Sequence, residues 1–254
     1  MTRLPIYWAA VSLILLFSPA MGAEHLVAGR SASEQFNDPQ VAALAEAACA
    51  GDISGVDRLI HSGVSPNSRG RQGETALIWA VWCGNLAGVE GLLKNGGNPN
   101  YVVPHQNSAT YAAATSHDPA LLKLLLKYGG DPNAYAKDDP GNSALFRAEI
   151  LIENGYGWDN FHALLAAGAN VNQVGSTGRS VAFYAALGRE YGAVAELLGH
   201  GYSRNLPQLA EMVASQPFGG SRATEIAAER AKVLEMLKQQ GVAIPMSTKN
   251  SIRY

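Results

Sequence analysis

The sequence predicts an all-α solenoid of about five helix–turn–helix units with extended connectors, closed by a C-terminal capping helix pair. Three observations predict it. The segments GVSPN (63–67), GGNPN (96–100), GGDPN (129–133), GANVN (168–172) and GYSRN (201–205) each place Gly four residues before Asn. Those asparagines stand at 67, 100, 133, 172 and 205, so the spacings are 33, 33, 39 and 33, the signature of a repeat architecture. Upstream of every glycine an apolar stripe recurs: Val56, Leu59 and Ile60 in the first unit, then Val89, Leu92 and Leu93, and so on to Val194, Leu197 and Leu198. That i, i+3, i+4 pattern is one face of a helix. Composition agrees: 27 glycines, 12 prolines and 16% charged residues in 254 suit many short, punctuated elements.

Each unit justifies its own parts. The first helix opens at Thr75, Ser108, Ser143 or Ser180, whose hydroxyls cap exposed backbone N–H groups. Asp38-Pro39 fills that place in the first unit, with proline at the first helical position. Ala47, Ala80, Ala113, Ala148 and Ala185 follow, small enough for two helices to approach closely. The second helix carries the apolar stripe and ends at Gly63, Gly96, Gly129, Gly168 or Gly201, which supplies a left-handed cap. The closing pair is expected at 206–215 and 223–239, where Leu234 and Leu237 precede Gly241 and Lys238 gives a polar outer face.

The chain divides into a signal peptide (1–23), a linker (24–37), the repeat domain (38–245) and a C-terminal tail (246–254). Leu4 to Ala23 carries no charge, follows Arg3, and has an apolar heart from Ile6 to Phe17 of signal-peptide length. Cleavage after Ala20, Gly22 or Ala23 would leave an exported mature chain of net charge 18 − 21 = −3, because Arg3 is lost and no acid is. Such a balance gives no support to nucleic-acid binding through bulk positive charge.

The unit GETALIWAVWCGNLAGVEGLLKNGGNPN (73–100), with GRSVAFYAALGREYGAVAELLGHGYSRN (178–205) as a looser version, resembles the ankyrin repeat. The resemblance covers about residues 38–245. It departs from the family at the start of the first helix, where Thr-Pro-Leu-His is replaced by TALI, SATY, SALF and SVAF. The family's cross-repeat histidine bonds are therefore absent, and looser or irregular stacking is expected.

No nucleophile elbow, phosphate loop or His-Glu-x-x-His pair is present, and the six histidines are not spaced as metal ligands. The reading is of a protein without catalytic residues, metal or cofactor. Cys49 and Cys83 end the first helices of adjacent units; packed helices lie about 8–10 Å apart and a disulfide needs Cα atoms within roughly 7 Å. A bond and two separate thiols both remain open.

The resemblance implies that the connectors form hairpin fingers, and that the chain is a binding scaffold whose fingers and first helices meet a protein partner. By position it nominates Arg69, Arg71, Gln72 and Glu74, then Tyr101, His105 and Asn107, then Tyr135, Lys137, Asp138 and Asp139, and Arg179 on the fingers. Trp82, with Cys83, Thr115 and Ser116, ends the first helices; Trp79, Tyr111, Phe146, Arg147 and Tyr184 lie nearby. Trp79, Phe146 and Phe183 are expected to be core. The fourth unit has a longer connector and a longer inter-helix turn, in which Tyr156 and Trp158 stand between glycines as contact residues. For an exported chain the resemblance implies a periplasmic protein, foremost an immunity protein that sterically blocks a toxic effector such as a lipid- or wall-degrading enzyme. The alternatives are a partner of a periplasmic redox enzyme such as catalase, and a hydrolase with an unrecognised site.

Overall fold

A computed structural model describes residues 25–103, 108–136, 139–217 and 223–245. The signal segment, the tail, and His105, Asn107, Lys137 and Asp138 lie outside the described residues. The described residues form two compact units, divided between Gly96 and Gly97. The same local rules build both.

The first unit holds α1 (Ala32–Gln35), α2 (Pro39–Ala50), α3 (Ile53–His61), α4 (Ala76–Cys83) and α5 (Leu86–Lys94). Asp38 and Thr75 cap α2 and α4 through their side chains, while Asp52 and Asn85 cap α3 and α5. Gly51 and Gly84, both at φ 74°, end the first helices in the left-handed region. The two helix pairs stack α2 on α4 and α3 on α5, burying Leu44, Val56, Leu77, Trp79, Val89 and Leu92. The approach is close enough that a Cβ on Gly88 would run into the carbonyl oxygen of Ala48. At the far end of α2 and α4 the Cα atoms of Cys49 and Cys83 are 5.5 Å apart and the side chains form a disulfide. Alanines between the helices bring this pair nearer than general helix spacing would allow.

Residues 25–37, expected as a linker, are instead folded onto the first unit. Ser31 and Glu34 form a reciprocal capping box around α1. Phe36, 2% exposed, meets the Trp79 ring edge-on at 5.8 Å. His25 reaches Glu46 at 2.5 Å. One buried aromatic and a capped turn hold the segment where composition alone suggested a frayed start.

The second unit holds α6 (Ala109–Ala114), α7 (Pro119–Lys127), the hairpin strands β1 (Tyr135–Ala136) and β2 (Asp139–Ser143), α8 (Ala144–Glu153), α9 (Asp159–Ala166), α10 (Val181–Gly188), α11 (Tyr191–Gly199), α12 (Leu206–Ser215) and α13 (Ala223–Gln239). Strands β1 and β2 pair antiparallel through Tyr135 and Ser143, with a register irregularity beside it, and form the enlarged finger. First helices pack in the row α6, α8, α10, α12; α7 packs on α9 and α11 on α13. Ser108, Ser143 and Ser180 cap α6, α8 and α10. The closing pair α12–α13 occupies the expected residues.

The recurring Gly and Asn turn out to be joined. Gly63, Gly96, Gly129, Gly168 and Gly201 all adopt φ between 82° and 104°. In the first unit the Asn67 amide donates to the Gly96 carbonyl at 2.9 Å. In the second, Asn100 donates to Gly129 at 2.8 Å and Asn172 to Gly201 at 3.0 Å. Asn100 and Asn172 also accept from the next connector, from Asp131 N at 2.7 Å and Ser203 N at 2.9 Å, and Asn133 accepts from Asn170 N at 2.6 Å. Ser180 adds a bond to the Tyr202 hydroxyl at 2.8 Å. Asparagine thus bonds successive repeats where the family's histidine is missing.

Two predictions follow from these links. Asn172→Ala removes three inter-repeat bonds and lowers stability by about 1–2 kcal/mol in urea unfolding of the mature chain. Cys83→Ser opens a loop of 34 residues and lowers stability by about 3 kcal/mol; alkylation should label the unfolded wild-type chain only after reduction.

Candidate binding surface

The first helices of the second unit present the most developed surface. Each is short, so its outward residues are only partly covered by neighbouring repeats. On α8 and α10 those residues are aromatic: Phe146 lies 4.7 Å from Tyr184, and Tyr184 meets Phe183 edge-on at 6.0 Å. All three are half-buried. Phe146 and Phe183 are therefore not sealed core as expected, whereas Trp79, in the first unit, is. Two arginines border these rings. Arg147 lies over the Tyr111 ring at 5.7 Å and its Nε donates to the Tyr111 hydroxyl at 2.6 Å. Tyr111 in turn donates to Asn142 at 2.6 Å, tying α6, α8 and the finger together. Arg179 lies over the Phe183 ring at 5.1 Å. Burial pushes the Tyr111 hydroxyl above its ordinary value, against the pull of Arg147, so it stays a neutral donor at physiological pH.

The other nominated residues divide. Tyr135, 45% exposed, stands free on the finger, and Arg69, Gln72 and Arg179 are exposed on theirs. Tyr101 and Trp82 are half-buried, Trp82 edge-on to Trp79 at 6.2 Å. Glu74 is 0% exposed and folds into its own finger, accepting from Gln72 N at 3.2 Å, so it is no contact residue. Arg71 is exposed and anchored to α1, donating from Nε to the Glu34 carbonyl at 2.8 Å. Asp139 is structural as well: its Oδ1 accepts from Gly141 N at 3.0 Å and from Ser176 N at 3.2 Å, holding two fingers together. In the fourth repeat's enlarged turn Trp158 packs edge-on against Phe161 and over Gly192, where a Cβ would lie 3.1 Å from the indole. Tyr156, 59% exposed, stacks on His117 at 3.8 Å. The insertion is thus a folded brace onto the preceding repeat's turn.

A buried acid escaped the sequence reading. Glu149 on α8 holds the place taken by Ala48, Val81, Ala114 and Ala186 in the other repeats, and it is 1% exposed. Its Oε1 has no hydrogen-bond partner among the described residues. The signal was available as a single charge in an apolar register position. Burial, reinforced by the Glu153 and Glu190 carboxylates, pushes its carboxyl up to about 8. Among the described residues no group of His, Cys, Asp and Glu is placed to hold a metal, and no helix is long and apolar enough to cross a membrane. A shallow groove of about 660 Å³ lies on the second-helix side, between Trp158, His162, Gly192, Glu229 and Lys232.

The raised carboxyl fixes a pH dependence. The folded state prefers the neutral acid, so its stability is full below the ordinary value of 4.5 and falls as pH rises toward about 8. Each pH unit in that window costs up to about 1.4 kcal/mol. Glu149→Gln should match wild type near pH 4 and melt progressively higher than it up to pH 8; a gap independent of pH would show that the carboxyl does not titrate in the folded chain.

Residues 21–103 match the family model of ankyrin repeats, in three copies. No curated protein matches the chain. The repeats indicate a protein–protein interaction scaffold, and their helix pairs, left-handed glycines and fingers continue in kind through the second unit. Residues 21–103 thus carry ankyrin repeats, and the described residues as a whole fold as an all-α solenoid of the ankyrin type.

Proposed function

We propose that this protein is a non-catalytic periplasmic inhibitor, an immunity protein that binds a toxic effector enzyme and blocks access to its active site. The half-exposed row Phe146, Tyr184 and Phe183, bordered by Arg147 and Arg179, carries the reading. Aromatic and arginine side chains dominate binding energy at protein interfaces. Here they sit on rigid helices, so little conformational freedom is lost on contact. The uncharged segment after Arg3 supports export, and the Cys49–Cys83 bond suits an oxidising compartment. Occlusion is the mechanism: the fingers and first helices cover an entrance, and no bond in the partner is made or broken by this chain.

Deleting the gene should sensitise cells to kin that deliver the cognate toxin, and the chain should copurify with the enzyme encoded beside it. Phe146→Ala should weaken that complex by at least about tenfold while leaving the circular dichroism unchanged. Sensitivity to peroxide in place of sensitivity to kin would favour the redox-partner alternative. Turnover of lipid or peptidoglycan by the purified chain, abolished by one substitution, would establish a hydrolase.

A further inference from the structure

We infer that the finger end of the aromatic row is a carboxylate receptor, so that the partner presents an acidic segment in which Asp or Glu flanks an apolar residue. The inference rests on the binding-surface reading above and adds the chemistry of the partner. Arg147 is fixed twice, by its Nε bond to the Tyr111 hydroxyl at 2.6 Å and by its position 5.7 Å over the same ring. Its two terminal nitrogens meet no acceptor among the described residues. Arg179 is exposed and held 5.1 Å over Phe183, and its guanidinium also meets no acceptor among them. A guanidinium held in place with its terminal fork unoccupied is suited to two parallel bonds to a carboxylate. Phe146 and Tyr184, 4.7 Å apart, offer the apolar contact between the two arginines.

The local acids strengthen the assignment. Asp139, on the same finger as Asn142, spends Oδ1 on the backbone of Gly141 and Ser176. Among the described residues the other acids of the α8–α10 seam lie at the opposite end: the buried, neutral Glu149 and then Glu153 follow Phe146 down α8, Glu190 follows α10, and the Glu153 side chain lies beside Gly188. Among the described residues the seam is therefore two-ended: Arg147 and Arg179 outnumber Asp139 beside the fingers, and Glu153 and Glu190 outnumber Arg189 beside the turns. An acidic segment is drawn to the first end and repelled from the second, which sets its register.

A displayed library of random 12-residue peptides, selected on the full mature chain, tests this. The expected binders are enriched in Asp and Glu around an aromatic or aliphatic residue. For a synthetic copy of the leading peptide, affinity should fall at least tenfold with Arg147→Gln and with Arg179→Gln, fall also with Arg147→Lys, which keeps charge and loses the fork, and rise with Glu153→Gln. Binders without acidic enrichment, or affinities within twofold of wild type in both glutamine variants, would overturn the inference. If such binders are nevertheless lost with Phe146→Ala, the row binds protein and only the carboxylate assignment fails; if Phe146→Ala is also silent, or no peptide binds, the binding-surface reading fails with it. Thermal melts of every variant separate lost contact from lost fold.

Discussion

The structure depends on a bond between an asparagine amide and the carbonyl of a left-handed glycine one repeat further on. Glycine is required there because the backbone turns into a region that a Cβ disfavours. The turn ends the second helix and exposes a carbonyl, and Asn67, Asn100 and Asn172 each reach one. With this link fixing the spacing of connectors, helix pairs can approach only if their facing residues are small. Ala80, Ala113, Ala148 and Ala185 meet that demand, all fully buried, while Ala47 in the first repeat is half-buried. Each helix pair is thus supported by its neighbours, and the local contacts of a repeat protein follow.

The same constraint creates the surface. Eight-residue and ten-residue first helices, α10 and α8, are too short to bury every apolar side chain against adjacent repeats. Phe146, Phe183 and Tyr184 remain half-covered, and they stiffen one another instead of being sealed. Arginines settle over the outer rings, Arg147 on Tyr111 and Arg179 on Phe183. Glu149 is the price of this seam: a carboxyl in an alanine position, held neutral by burial and by two further carboxylates. Fold and surface are two results of packing short helices at a fixed pitch.

What could be read from the sequence was local. Caps, left-handed glycines, the five-unit period and the closing pair depend on residues a few positions apart, and the structure places them at the expected positions. What could not be read depends on contacts across repeats. Glu74 is exposed by position yet folds beneath Gly70. Arg71 is a finger residue anchored on α1 through its Nε, and Asp139 a loop acid bonded to the next finger. The Ser31–Glu34 capping box was legible in residues 25–37, but the segment's low apolar content hid the single residue, Phe36, that anchors it. Of the candidate surface, Arg147 and Tyr184 were in view as first-helix positions; their pairing with Tyr111 and Phe146 required the fold.

Hydrogen exchange on the mature chain, alone and saturated with the enzyme encoded beside its gene, tests the central claim most directly. The account predicts new protection in 139–150 and 174–187, the finger and first-helix segments that carry Arg147, Phe146, Arg179 and Tyr184, with α9, α11 and α13 unchanged. Protection confined to the groove between Trp158, Glu229 and Lys232 would contradict it.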